Sequence, residues 1–519
     1  MSILRAFTLQ KMHRRLEITP RISLLVFSAV YFVCCIFLPE GYAKTIEARS
    51  CSYTDVSGAV SSATRGDTVT VPAGKCIWGS ELVVTKAIRL QGAGIDVTTI
   101  KSGMTGGTGY STSKFLFRYV PSSPSSDASE LFELTGFTFD EDSKSGSIIV
   151  RNENATPLRK VRIHHNKIIN SYGVEVTSNE YATSITIEGT VYGVIDNNTI
   201  IGVPRIGNYG NSYATLGRSS WDNTTFKYGS PDNIYWEDNI FIKDTILISD
   251  ARQLLSYGDR GGRYVFRYNN IINSTTNPFY AWDMHGTQVG GTPTSPGYRN
   301  RSTMGAEIYG NHISNPYSAL QIWGHRGGKL LAFYNYVMDG SNTIQAVILD
   351  EASERWAPTN HACLGLGYSA CSSDGERQEQ TKSFYWNNRK SSNNGLIITK
   401  LISDTRWDQW GGNKLRENEN FWNHNTGFNG TLGMGCGTLA NRPKTCTEGV
   451  GYWATDQSCS QVPEASVGKA PKTPISGTLY RCVATNSWQE YYTPYTYPHP
   501  LRTGETEILS APKGFKLVN

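Results

Sequence analysis

Charge is scarce in this chain, with 18% of its 519 residues being Asp, Glu, Lys or Arg. Beyond residue 43 the balance is 44 basic against 42 acidic side chains. No nucleic-acid partner drawn by bulk positive charge is expected. Asparagine is missing from residues 1–151, occurs 33 times from Asn152 to Asn441, and twice thereafter, which marks three regions. No CxxC occurs, and no cysteine pair is matched by a histidine pair at zinc-finger spacing, so structural zinc is not expected. What is abundant points elsewhere. Apolar residues make up 39%, too many for a disordered chain, and 51 glycines are too many for a helical bundle, which leaves strands and turns.

The leader is the exception to the even charge. Arg5, Lys11, Arg14, Arg15 and Arg21 precede an uncharged run from Ile22 to Leu38, followed by Gly41-Tyr42-Ala43. Residues 1–43 read as a signal peptide cut after Ala43, with an uncleaved membrane anchor as the competing reading. Secretion or placement in the cell envelope follows, with a membrane partner only if the anchor is kept. Eight cysteines remain, an even number that suits disulfides after export. Nearest neighbours would pair Cys51 with Cys76, Cys363 with Cys371, Cys436 with Cys446 and Cys459 with Cys482, but spacing alone selects no connectivity. The bridge most expected is Cys51 to Cys76, because the segment between them must fold back over the core.

In the middle region one phrase recurs: VRIHHNKII from Val161, VIDNNTII from Val194, IYWEDNIFI from Ile234, VFRYNNII from Val265, AEIYGNHI from Ala306 and, more loosely, LAFYNYV from Leu331. Each copy is an alternating strand that ends at Asn and is followed at once by a second short apolar strand. Asn tolerates left-handed backbone and bonds through its amide, so Asn166, Asn198, Asn239, Asn270 and Asn311 are expected at equivalent bends. Strand repeats of this kind predict a solenoid. Ahead of them, Asp55 can cap a short helix carrying Val56, Ala59, Val60 and Ala63 on one face, followed by GDTVTVPAG at Gly66 and LQGAG at Leu90.

On these phrases the chain resembles the right-handed parallel β-helix proteins of the pectate-lyase-like superfamily, over about residues 50–430. The resemblance implies an all-β fold, a right-handed parallel β-helix (solenoid) with a short N-terminal capping helix, spanning 44–430. Residues 431–519, with four cysteines and the run YYTPYTYPHP, are expected to form a disulfide-rich C-terminal cap over the last strand edges, or a sugar-binding appendage. Activity is less specified, because this fold hosts lyases, hydrolases, epimerases, adhesins and phage tailspikes. No complete pectate-lyase catalytic signature is present, so residue roles rest on position.

Between Asn phrases lies a third strand: LLSYGDRGG at Leu254, FYAWDMHG at Phe279, ALQIWGHRGG at Ala319 and QAVILDEAS at Gln345. With the segment Thr287 to Thr303 taken as an insertion, a 25-residue spacing stacks Arg260, His285, Arg326 and Glu351 in one column. Asp259, Met284, His325 and Asp350 are their neighbours. Strict alternation turns Tyr257, Trp282 and Trp323 outward as platforms for sugar rings, and Arg299 and Arg301 lie in the insertion. The insertions after the third strands are expected to wall a cleft.

These residues predict a secreted carbohydrate-active protein whose partner is a polysaccharide, and specifically a lyase cleaving a uronate-containing chain by β-elimination. Arg260, Arg326 or Arg301 would neutralise the carboxylate, and His285 or His325 would take the C5 proton. Asp259, Asp350 and Glu351 would orient these groups or hold Ca²⁺, with Glu307 a further ligand. The alternatives are hydrolysis by a carboxylate pair drawn from Asp259, Asp350 and Glu351, and a noncatalytic glycan-binding or cell-surface protein. His164, His165, His312 and His499 read as surface or packing residues.

Overall fold

The computed structural model describes residues 43–105, 114–152, 154, 156–171, 183–210, 226–246, 253–259, 261–284, 303–340, 343–348, 382–402, 415–461 and 473–502. The leader, Cys363 and Cys371 lie outside these described residues. Among them no helix is long and apolar enough to cross a membrane.

Three long sheets of twelve, ten and ten strands, here sheets A, B and C, are built by a chain that visits them in rotation. One coil runs through Leu158–His164 in sheet A, Lys167–Ser171 in sheet B and Ile185–Gly189 in sheet C. Each strand pairs in parallel with its counterparts one coil before and after. Crossovers between parallel neighbours are right-handed as a rule, and the chain is a right-handed parallel β-helix.

The Asn phrase is the bend from sheet A to sheet B. Asn166, Asn198, Asn239, Asn269, Asn311, Asn335 and Asn388 form a buried ladder; from Asn198 on, each amide oxygen accepts from the backbone N–H of the preceding ladder residue, and that of Asn166 accepts from Phe137 N. Asn239 is typical: its Nδ2 donates to Ile195 and Glu237 carbonyls and to Asn269 Oδ1, at 2.8, 3.1 and 3.0 Å. The residue before each Asn turns the corner with positive φ: His165, Asn197, Asp238, Tyr268, Gly310, Tyr334 and Asn387 at 50–66°. The ladder residue in the fourth phrase is therefore Asn269, not Asn270. Tyr268 takes the left-handed position, and Asn270 opens the sheet B strand Asn270–Asn273.

At the N-terminus the helix Tyr53–Ser62 buries Val56, Ala59 and Val60 against the first coils. Its cap is Ser52, whose hydroxyl accepts from Asp55 N at 3.2 Å, rather than Asp55. Asp55 sits in the first turn, where a negative charge suits the helix dipole. Cys51 bridges Cys76 with Cα atoms 5.7 Å apart, which ties the helix to the first sheet B strand, Gly74–Trp78.

The C-terminal region folds as a four-stranded sheet from Met434–Gly437, Gly451–Ala454, Thr478–Ala484 and Ser487–Tyr492. Its disulfides join Cys436 to Cys459 and Cys446 to Cys482, crossing the nearest-neighbour expectation. What this cap covers is the outer face of sheet A. Outward side chains there are apolar in the later coils (Tyr309, Phe333, Phe384, Trp386, Trp422) and form a second core with Trp453, Leu479 and Tyr492. Phe333 stacks on Trp386 at 4.1 Å with planes 2° apart. A sheet buried on both faces reads as a near-continuous apolar run, which is why IYW, LAF and SFYW lack clean alternation. From Tyr492 the chain continues along sheet A to Arg502, which bonds Glu237 at 2.9 Å and Asp238 at 2.5 Å.

Three buried carboxyl groups give the fold a pH dependence. Burial lifts Glu141, which accepts from the Ser147 and Ser184 hydroxyls, to about 8. Burial likewise raises Glu307 to about 7 and Asp238 to about 6. Against an unfolded value of about 4, each binds its proton more tightly when folded. The stability they contribute is fully present below pH about 4 and is lost as pH rises through 6 to 8. Urea unfolding should show stability declining from pH 5 to pH 8.5, and Glu141→Gln should flatten the upper end of that decline. An unchanged slope in that variant would show that Glu141 does not titrate there.

Candidate active site on the outer face of sheet C

Sheet C carries the third strands of the repeat. Its central members are Ile206–Tyr209, Gln253–Asp259, Phe279–Met284 and Leu320–His325. In register, Tyr209 faces Asp259, and Tyr257 lies between Gly207 and Asp283. Asp283 in turn faces Gly324. The strands Phe279–Met284 and Leu320–His325 do not alternate strictly. Phe279, Ala281, Trp282 and Met284 all enter the core, as do Leu320, Ile322 and Trp323. Both strands carry one extra residue at this point, exposed as a register shift where the second meets Ile344–Ile348: Gln321 pairs Gln345, but Trp323 pairs Ala346. Such a bulge reverses the faces downstream of it.

That reversal decides the site. Trp282 and Trp323, expected outward as sugar platforms, are 1% and 0% exposed within the solenoid core. Asp283, which strict alternation past an outward Trp282 would turn inward, instead holds Arg326. Arg326 Nε donates to Asp283 Oδ1 at 2.9 Å and Nη2 to Oδ2 at 2.6 Å, a bidentate pair that fixes the guanidinium plane. Gly324 leaves room beside them, since a Cβ there would meet Gln321 Nε2 at 2.6 Å. His325 points inward, its Nδ1 2.6 Å from the Tyr385 hydroxyl and its Nε2 2.8 Å from the Gly328 carbonyl. Burial lowers it to about 4, outweighing the opposing Gly328 bond. It is a core histidine, not a base facing substrate.

Two residues beyond Arg326's partner strand complete the group. Tyr257 is half-buried, with its ring 5.9 Å from that of Tyr209. Burial, then the charges of Asp259 and Asp283, push its phenol well above the ordinary tyrosine value against the opposing pull of Arg326. It is therefore held protonated, a hydrogen-bond donor set between two carboxylates. Asp259 shares the outer face two residues on, anchored by its carbonyl, which accepts from Gly262 N at 2.9 Å.

The remaining expected residues divide. Arg260, His285, Asp350, Glu351, Arg299 and Arg301 lie outside the described residues. The column alignment itself shifts: Met284 pairs Gly258 rather than Asp259, and His325 pairs Ile348. Glu307 belongs to sheet A, where it accepts from Tyr492 Oη at 2.6 Å and Gly229 N at 2.7 Å beneath the C-terminal sheet. It cannot serve a Ca²⁺ ion on sheet C. Of the four expected Ca²⁺ ligands, Asp259 is the described one on this face. The sequence reading missed Tyr209, which stands in register with Asp259, while the position beside Tyr257 in that coil is Gly207.

No family model matches the chain, and no curated protein matches it. Solved structures similar to it include a pectin methylesterase variant in complex with a hexasaccharide, at 10% identity over 59% of this chain and 93% of that one, with a TM-score of 0.34. A tailspike protein of bacteriophage CBA120 aligns at 11% identity over 78% of this chain and 63% of its own, TM-score 0.27. The catalytic domain of a GH87 α-1,3-glucanase in complex with nigerose aligns at 12% identity over 60% and 58%, TM-score 0.20.

Proposed function

We propose that this is an exported carbohydrate-active enzyme that cleaves a uronate-containing polysaccharide by β-elimination on the outer face of sheet C. The observation that carries this reading is the placement of Tyr257, two residues from Asp259 on its strand and in register with Asp283, whose carboxylate aligns the Arg326 guanidinium. Arg326 supplies the charge that pairs with the substrate carboxylate and stabilises the enolate. Asp259 accepts the C5 proton, the C4–O bond breaks as the C4–C5 double bond forms, and Tyr257 gives its proton to the departing oxygen. His285, the residue after Met284, is the alternative base. The half-buried Tyr257 offers a ring for a sugar, with the buried Tyr209 packed beside it. Export is supported by the three disulfides among the described residues, since such bonds persist in oxidising compartments.

A second reading, hydrolysis by a carboxylate pair, is favoured by the placement of Asp259 and Asp283 on adjacent coils of one face. One experiment separates them. The mature protein is incubated with uronic-acid polysaccharides, with and without chelator, and both unsaturated-end absorbance and reducing ends are followed. Absorbance supports elimination; reducing ends without it support hydrolysis. Tyr257→Phe and Asp259→Asn should each lower turnover by about 10²–10⁴-fold with unchanged thermal unfolding. Wild-type binding without turnover would end the enzymatic reading.

A further inference from the structure

On the outer face of sheet A, ahead of the coils covered by the C-terminal sheet, two adjacent histidines turn their Nδ1 atoms toward each other. His164 ends the strand Leu158–His164, and His165 occupies the left-handed corner, so the bend itself aims the two rings at one point. The nitrogens are 2.7 Å apart and the rings meet edge to face. His164 Nε2 lies 3.0 Å from Glu133 Oε1, one coil earlier. That contact places the ring proton on Nε2 and leaves Nδ1 with its lone pair directed at His165. A carboxylate behind a ligating imidazole is the arrangement that fixes tautomer and raises basicity at metal centres.

Asp196 stands in register with His164 on the next coil. Donor atoms of His164, His165 and Asp196 all lie within 4.8 Å of one another. Asp196 Oδ2 carries Arg162 Nη2, Asn197 Nδ2 and Arg502 Nε, whereas Oδ1 accepts Arg162 Nε at 2.9 Å. A carboxylate oxygen has two lone pairs, so Oδ1 retains the capacity to ligate.

We propose that His164, His165 and Asp196 bind a divalent transition cation of the zinc class, with Glu133 positioning His164. Two imidazoles and a carboxylate with open positions suit such an ion and not Ca²⁺, which takes a shell of oxygens. Metal–nitrogen bonds of about 2.0–2.1 Å require the two nitrogens to open to roughly 3.3 Å, a small swing for the half-buried His165 ring. For both Nδ1 atoms to ligate, the proton between them passes to His165 Nε2, so that each ring is neutral with its proton on Nε2. Arg162 and Arg502 beside Asp196 weaken the site relative to a closed structural zinc centre. The proposal is independent of the chemistry on sheet C.

The test uses the full chain freed of metal by chelator, titrated with Zn²⁺ by calorimetry and with Co²⁺ by visible absorption. The expected result is about one equivalent of high-affinity uptake with a Co²⁺ ligand-field band. His165→Asn keeps the corner, since Asn197 holds the same conformation one coil later, and should weaken binding at least tenfold. Glu133→Gln should weaken it by about 10–100-fold. No uptake by the wild type would overturn the site, leaving a hydrogen-bonded histidine pair. Uptake unchanged in His165→Asn would equally overturn it by placing the ion elsewhere.

Discussion

Replacing Trp323 by alanine should lower the free energy of unfolding by about 3–5 kcal/mol and leave the Michaelis constant of the folded protein unchanged. The ring is fully buried and stacks on Tyr385 at 5.7 Å, with planes 14° apart. Its in-register neighbour Trp282 packs edge-on against Phe266 at 5.8 Å. Deleting such a ring removes its transfer free energy and leaves a void that stacked coils, locked by ladders on both sides, cannot close. Trp323→Phe should cost much less. It keeps an aromatic ring in the stack and removes an indole N–H that has no hydrogen-bond partner among the described residues. Denaturant titration of both variants checks this. Normal stability with weakened substrate binding in Trp323→Ala would mean that the ring faces the sugar after all.

Arg267→Met should destabilise the protein by about 3–5 kcal/mol and expose the C-terminal segment to protease. Arg267 is buried with Glu237, its Nη2 2.9 Å from Oε1. The same guanidinium donates to the Tyr309 hydroxyl at 3.0 Å and to the carbonyls of Tyr495 and Thr496 at 2.6 and 2.8 Å. It also lies over the rings of Tyr235 and Tyr497, at 4.7 and 5.2 Å from their centroids. One cation thus joins sheet A to the segment laid on it. Its removal leaves Glu237 in a low-dielectric site with Arg502 as its remaining guanidinium among the described residues. Because breaking a buried pair costs more than replacing both partners, adding Glu237→Gln should restore part of the loss. A decrease below about 1 kcal/mol would place Arg267 among ordinary surface pairs.

The solenoid was legible because its bend needs the same chemistry in every coil. A left-handed residue followed by a buried amide is hard to satisfy except with Asn, so the phrase recurs in sequence. Where two asparagines are adjacent, as at Asn269 and Asn270, spacing could not say which one stacks. The Cys51–Cys76 bridge was legible for a similar reason, since both residues sit in one short cap. The four later cysteines were not. Their partners are set by the pairing of Gly451–Ala454 with both Met434–Gly437 and Thr478–Ala484, which linear distance does not reveal.

The sheet on which catalysis is proposed was readable from the sequence, whereas the side chains facing solvent were not. Alternation assigns faces only while the pleat is unbroken, and one extra residue carried by neighbouring strands turned Trp282 inward and put Asp283, Arg326's partner, outside in its place. The place of the C-terminal region was not readable either: expected over the last strand edges, it packs on apolar columns of the outer face of sheet A. By itself, then, the sequence determined the strand repeat, the Asn bend, the N-terminal helix and the bridge that holds it. All of these depend on local backbone geometry and short-range bonding. Only the tertiary structure decided which tryptophans are core, which carboxylate holds Arg326, how the last four cysteines pair and what the C-terminal region covers. Those outcomes depend on register between coils and on burial by segments far away in the chain, and neither is encoded in any single repeat.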